Sequence, residues 1–448
     1  MFNPFNKSIG TPLNEADLSE LINQNVSEGY YIEYKGDIFP ANNKIGQSIA
    51  SFANTYGGWY FIGVETDVHN QANNICGFNL LVNPDPISQV REIIKSHIDP
   101  TPIFYIQVVP LAAPNRAVLV VYIPPEQNVP FVSKNGKIYR RTHDSSEPIL
   151  ENNRYAIDRL YDEGQKSIEK FEKFCRDERT FSTIKVGEID LGWVNIFIEP
   201  IAYEPINKYE QNELELIRNV LERSQNPQEI YTPYEGIHIN GNIPFNAGYP
   251  RFWSFILKQT NLVGLSQNGL TVEFLYDGRA KFHIPIRFFP YYTLQERKAI
   301  TSQKILDIIN ELSKDEGMEN FSLRFFDIGE LWAGVTTLSS FYLDWLGNDV
   351  RVQILKIAIK FNEIWKAIPY FDDDVWAEHV ENFGLPVSIS DNLNFPDDTG
   401  KGFTFEPINK STLGFLLFNK ICIGFGLTLE TQGDAIEHFI EKHSNNEN

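Results

Sequence analysis

The sequence predicts an α+β protein in two parts: an N-terminal mixed α/β domain, then a second α+β domain of no recognisable type. Three observations support this. Strand-like alternation and helix-like stripes follow one another in the first third. A charged helical stretch, "NRYAIDRLYDEGQKSIEKFEKFCRDER", separates that third from the rest. Beyond it, "EIDLGWVNIFIEPIAYEP" and "VEFLYDGRAKFHIPI" read as strands, the latter as a hairpin turning at Asp277–Gly278. The expected divisions are residues 1–150, a helical connector at 151–180, and 181–448.

In the first part, "LNEADLSELINQ" at 13–24 is a short amphipathic helix with Leu13, Leu18, Leu21 and Ile22 on one face and Asn14 as cap. "YYIEYKGDI" alternates as a strand, with Tyr31, Glu33 and Lys35 on one side. A helix then carries Ile45, Ile49 and Phe52, ends at Asn54–Thr55–Tyr56, and stops on Gly57–Gly58, which supplies a left-handed turn. "WYFIGV" is a nearly unbroken apolar run, as expected of a strand covered on both faces. "PISQVREIIKSH" is a helix, "IFYIQVVPL" and "AVLVVYIP" are strands, and "VPFVSKNGKIYRR" is a hairpin turning at Asn135–Gly136. In the second part, helical patterns are expected at 294–315 and 353–367, and the tail 443–448 is expected to be disordered.

Composition narrows the function. The chain has 448 residues with ordinary apolar and charged content, and no run long enough to span a membrane. The start of the sequence lacks the pattern of a signal peptide. Cys76, Cys175 and Cys422 fit neither a zinc spacing nor a disulfide framework, and a reducing cytoplasm is expected. The net charge of -20 opposes broad coating of a polyanion. Residues 1–150 hold 10 Lys and Arg against 14 Asp and Glu, a net of -4, so the remainder carries -16. Any nucleic-acid contact is expected in the first third, on a local basic cluster.

Acidic residues supply one candidate site. Glu28 precedes the first strand, Glu33 lies within it, and Glu65 and Asp67 follow the buried "WYFIGV" strand. If the strands pair, Glu33 can face Glu65 or Asp67, with Glu28 curling over. Clustered carboxylates suit Mg²⁺ or Mn²⁺, hard ions that take oxygen ligands and can activate water at a phosphodiester. Lys35, on the Glu33 face, would touch a phosphate. The plainer reading of the same residues is a solvated surface ion pair.

The basic candidates are Lys134, Lys137, Tyr139, Arg140 and Arg141 on the hairpin "VSKNGKIYRRTHDS". Such a hairpin can hold a phosphate backbone and stack a base, or simply guard a sheet edge with charge. Phosphate-loop, zinc-protease and serine-hydrolase motifs are absent from the sequence. "FDDDVW" at 371–376 reads as an acidic loop.

Together, "YIEYKGDI", "IASFANTYGGWYFIGVE", "VLVVYIP", "PFVSKNGKIYRR" and "SSEP", in this order, resemble the Schlafen AlbA-type domain over about residues 15–150. The resemblance implies nucleic-acid binding. It also implies a metal-dependent endoribonuclease acting on tRNA or other structured RNA, with Glu28 and Glu33 as the first two acids and Glu65 or Asp67 as the third. The family's Asp position is occupied here by Thr66. Lys35 would steady the scissile phosphate, and Arg140 and Arg141 would grip the backbone. Family members enclose RNA with two copies of the domain; one copy here implies a homodimer. Two functions stay open: a Mg²⁺- or Mn²⁺-dependent endoribonuclease in stress or phage defence, or a non-catalytic DNA- or RNA-binding module with a C-terminal sensor or partner-binding domain.

Overall fold

The computed structural model describes residues 3–5, 7, 10–125, 129–142, 145–176, 191–202, 206, 222, 228–231, 238–241, 245, 247–258, 270–288, 303, 307, 324–347, 352–370, 373–405, 410–428 and 431–433. The expectations for 294–315, apart from residues 303 and 307, and for the tail fall outside them. The fold is α+β. The chain divides into two compact units, the first built on residues 1–170 and the second on most of 171–448.

The first unit opens with helix α1 (Glu15–Asn23), capped reciprocally by Asn14 and Asp17. Then come β1 (Ile32–Lys35), α2 (Asn42–Ala53) and β2 (Gly58–Ile62). A small hairpin, β3 (Glu65–Thr66) and β4 (Ala72–Asn74), precedes β5 (Phe78–Asn79) and α3 (Pro86–His97). Next are β6 (Ile98–Asp99), β7 (Tyr105–Pro110) and β8 (Arg116–Ile123). Then follow β9 (Val132–Ser133), β10 (Tyr139–Thr142), β11 (Ser145–Leu150) and the long helix α4 (Arg154–Arg176).

β1 runs parallel to β2, β2 antiparallel to β8, and β7 and β5 also pair antiparallel with β8. A parallel neighbour demands a crossover, and α2 supplies it. The crossover buries Ile45, Ile49 and Phe52 of α2 with Ile93 and Ile94 of α3 against Tyr60, Ile62, Leu119 and Val121 of the sheet. β2 is buried along its whole length, as its unbroken apolar sequence requires.

The turn between α2 and β2 works as the glycine pair suggests. Gly57 has φ +70, and a Cβ there would lie 2.4 Å from the Ile123 carbonyl oxygen. At Gly58 a Cβ would meet the Phe52 ring at 2.3 Å and the Tyr31 carbonyl oxygen at 2.7 Å. Glycine here therefore provides both a left-handed backbone and close approach of three segments.

The second unit centres on an eight-stranded sheet. It contains β12 (Leu191–Ala202), the separate pair β13 (Gln228–Tyr231) and β14 (His238–Gly241), and β15 (Ala247–Pro250). β16 (Ser254–Lys258), β17 (Thr271–Leu275) and β18 (Ala280–Arg287) continue it, with the Asp277–Gly278 turn where the sequence places it. β19 (Arg324–Asp327) leads into helix α5 (Ile328–Leu346). Then come β20 (Val352–Asn362), β21 (Ala367–Tyr370), α6 (Asp373–Phe383), β22 (Leu393–Phe395), β23 (Phe403–Phe405) and α7 (Lys410–Gly424). The sheet order is β15–β16–β17–β18–β12–β20–β22, with β23 also on β20.

Two expectations need correction. Residues 353–367, expected to be helical, mostly form the strand β20. Leu355, Ile357, Ile359 and Phe361 alternate into one buried face, and Ala358 fills the other, so a period of two prevails over an apparent helical stripe. "FDDDVW" does not form a loop throughout, because Asp373 begins α6.

Replacing Gly57 by Ala is expected to destabilise the protein by about 2 kcal/mol or more, from left-handed strain plus crowding. Gly136→Ala has a similar φ of +74 but open space around it, and is expected to cost only about 1 kcal/mol. Amide hydrogen exchange across β2, measured against urea, distinguishes the two.

Candidate nucleic-acid interface

The parallel register places Glu33 opposite Tyr60 and Lys35 opposite Ile62. Glu33 is therefore directed beneath α2, at 1% exposure. A carboxylate buried this deeply must be paired. One oxygen, Oε2, accepts from Arg141 Nη1 at 2.7 Å. The other, Oε1, accepts from Ser48 Oγ at 2.8 Å and pairs with Lys35 Nζ at 2.8 Å.

Arg141 is as deeply buried as its partner, at 1% exposure. Its Nε and Nη2 both donate to the Gly29 carbonyl, at 3.0 and 2.8 Å, and its guanidinium carbon lies 4.2 Å from the Phe52 ring centre. Its backbone N–H donates to Thr55 Oγ1 at 3.0 Å. Asn54 makes the neighbouring tie. Its Nδ2 donates to the carbonyls of Phe131 and Tyr139, and its Oδ1 accepts from the Phe131 amide at 2.7 Å. "FANT" thus does more than end a helix, since it fastens the α2 terminus to the β9–β10 segment.

The other acids are engaged elsewhere. Glu28 Oε1 accepts the Tyr34 amide at 2.7 Å. Burial raises the Glu28 carboxyl above its ordinary value; the Tyr34 amide and Lys35 oppose this, Glu33 adds to it, and Arg141 opposes it. Glu65 is exposed on β3, beyond the end of β1, and accepts from Asn74 Nδ2 at 2.9 Å. Asp67 Oδ1 accepts the amides of His69 and Gln71 at 2.8 and 2.9 Å, which holds its carboxyl below the usual range. Glu65 and Asp67 belong to the β3–β4 hairpin rather than to the Glu33 pocket.

This donor set does not fit a hard divalent ion. Two cations already neutralise Glu33, and Glu65 and Asp67 serve a separate turn. Among the described residues no group of three or more His, Cys, Asp or Glu is arranged to hold a metal. The Tyr60 hydroxyl, buried and close enough to feel both Glu33 and Glu28, has no hydrogen-bond partner. A buried neutral phenol next to two carboxylates is placed first as a donor toward them.

The basic hairpin separates into two layers. Lys134 and Lys137 are exposed at its tip. The Lys134 amide donates to the His97 carbonyl at 2.8 Å, which joins the tip to the end of α3. There Lys95, His97 and Lys134 line an open cavity of about 430 Å³. Arg140 is half-buried and paired with Glu151 at 3.0 Å. Tyr139 and Arg141 point inward, because β10 buries alternate residues. The Tyr139 hydroxyl accepts from Gln47 Nε2 at 3.1 Å. Neither can grip a backbone or stack a base from that position, contrary to expectation. Sequence reasoning missed Ser48 and Lys95, and took Asn54 only as the residue that ends α2.

This arrangement has a relative among known domains. Residues 28–150 match the family model described as Schlafen, AlbA_2. The matched region runs from Glu28 to the last residue of β11 and contains the whole Glu33–Arg141 pocket. The Schlafen AlbA-type domain carries a nucleic-acid-related function. A crystal structure of the DIP2311 protein from Corynebacterium diphtheriae is 15% identical over 37% of this chain and 40% of that one, with a TM-score of 0.22, too low to bear on the fold. No curated protein matches the chain. No helix among the described residues is long and apolar enough to cross a membrane.

Glu33→Gln is expected to cost about 3 kcal/mol, because it leaves the buried Arg141 charge without its counter-ion. Lys137→Ala, at the exposed tip, is expected to stay within about 0.5 kcal/mol of the parent. Urea unfolding compares them. Glu28 gives a pH signature. Its raised carboxyl means that its stabilising contribution is full below its ordinary value of 4.5 and is lost as pH rises through the folded value. Glu28→Gln stays neutral, so its stability relative to the parent is expected to rise between pH ~4 and ~7. Paired melts across that range measure it.

Proposed function

We propose that the Schlafen AlbA-type domain binds RNA or DNA through the exposed lysines of its β9–β10 tip and the end of α3, and that it acts as a binding module. The observation that carries this reading is the convergence of Lys95 and Lys134 on one open cavity, with Lys137 exposed beside it. Lysines at a hairpin tip hold phosphates as point charges and carry little sequence preference. Of the domain's acids, Glu33 is committed internally to Arg141 and Lys35, and Asp99 lines the same cavity as the lysines. The acidic second part suits a sensor or partner-binding role, since it would not compete for the same polyanion.

One observation favours a second reading, a Mg²⁺- or Mn²⁺-dependent endoribonuclease acting on tRNA or other structured RNA in stress or phage defence. Glu28 and Glu33 do lie close enough to influence one another. The pairing of Glu33 with Arg141 and Lys35 weighs against it. A homodimer would set two basic tips side by side and extends either reading.

Purified full-length protein incubated with total tRNA decides between them. The binding reading expects retention of tRNA on a filter, and intact tRNA whether Mn²⁺ or EDTA is present. Lys134→Ala/Lys137→Ala is expected to weaken retention and flatten the salt dependence by about 1.4–1.8. Fragments that appear with Mn²⁺ and vanish both in EDTA and in Glu28→Gln would establish the nuclease instead.

A further inference from the structure

The stretch that ends α2 and starts β2 places three tyrosine rings together on the surface of the Schlafen AlbA-type domain. Tyr30 and Tyr31 immediately precede β1, and Tyr56 immediately precedes the glycine turn. Their ring centres lie 6.1, 5.8 and 6.4 Å apart, with planes tilted by 41–46°. Tyr31 is 37% exposed and Tyr56 55%. The neighbouring aromatics behave differently, since Trp59, Tyr60 and Phe61 are all buried. The tyrosine cluster is therefore outward-facing within an otherwise inward-facing aromatic run.

We propose that Tyr30, Tyr31 and Tyr56 form a stacking platform for unpaired nucleobases, so that this domain prefers single-stranded or looped nucleic acid to continuous duplex. The proposal rests on the nucleic-acid-binding reading and names the form of ligand it takes. Bases in a duplex are stacked on one another and present only their edges. Exposed aromatic faces can be used only by a base free of its partner.

The platform is rigid, as a stacking surface must be. Arg141 holds the Gly29 carbonyl, one residue before Tyr30, and the Trp59 amide donates to the Tyr31 carbonyl at 2.7 Å. The absence of a Cβ at Gly58 is what lets the segment carrying Tyr31 approach the one carrying Tyr56. Charge is present as well. Arg159 is exposed on α4 and lies near enough for Tyr56 to influence it electrostatically. Its ion pair with Glu163 is on the surface and readily exchanged for a phosphate. Tyr155, one helical turn before Arg159, is also exposed. Rings with polar rims beside a guanidinium suit a base and its phosphate better than an aliphatic protein surface.

The test is fluorescence anisotropy of the full-length protein with a labelled oligouridylate of about 12 nucleotides and with a duplex of the same length. The expected result is tighter binding of the single strand. Tyr31→Ala/Tyr56→Ala is expected to weaken it about 10-fold or more. Tyr31→Phe/Tyr56→Phe is expected to stay within about 2-fold, because the ring rather than the hydroxyl stacks. The loss is expected to be the same at low and high salt, since stacking releases no counterions. A 5-iodouridine crosslink to the unsubstituted protein is expected to map to Tyr30, Tyr31 or Tyr56, which needs no variant to fold. Tighter binding of the duplex, an alanine variant that binds like the parent, or crosslinks confined to other residues would overturn the platform while leaving the binding reading intact. No binding of either oligonucleotide would overturn the binding reading itself.

Discussion

The buried ion pair between Glu33 and Arg141 is the constraint on which the first unit depends. Two charges at 1% exposure are tolerable only with nearly complete pairing. The structure supplies it: Ser48 and Lys35 complete the carboxylate, and the Gly29 carbonyl and the Phe52 ring complete the guanidinium. Those partners come from β1, α2, β10 and the turn before β1. One pair therefore fixes where the crossover helix ends, where the parallel strand begins, and how the hairpin attaches. Asn54 reinforces the same junction through three hydrogen bonds to the hairpin.

The pair also determines how an acidic chain can meet a polyanion. A carboxylate that holds an arginine internally projects little field outward. The lysines at the hairpin tip and the end of α3 are left to act at the surface, where they are solvated and mobile. The arrangement separates roles by depth, with charge that shapes the domain inside and charge that meets a ligand outside. The tyrosines occupy a third position, at the surface but resting on the internal pair.

Much of the first unit was legible in the sequence. The glycine pair, the unbroken apolar run of β2 and the Asn135–Gly136 turn each follow from local chemistry, and each appears where its residues require. The resemblance to the Schlafen AlbA-type domain rested on the same stretches. The site was less legible, because partnership across more than a hundred residues leaves no local trace: Glu33 and Arg141 are 108 positions apart. Tyr139 and Arg141, expected to meet a ligand, turn inward because β10 buries alternate residues. Spacing suggested that Glu65 and Asp67 face Glu33, but the parallel register puts Tyr60 there, and the acids continue into a hairpin of their own. In the second unit, β20 was misread because Lys356 and Lys360, on the face opposite its apolar residues, fall four positions apart and imitate the polar stripe of a helix.

The central claim is that the Glu33 carboxylate is committed to Arg141 and is not available to a metal. Hydrogen exchange of the Arg141 side-chain Nε–H, followed by nitrogen-15 NMR in the full-length protein and assigned by its loss in Arg141→Lys, tests this most directly. The account predicts a slowly exchanging signal whose position and protection do not change as Mg²⁺ is added to millimolar levels. A signal that exchanges as fast as a surface arginine, or that is released as Mg²⁺ saturates the protein, would contradict it.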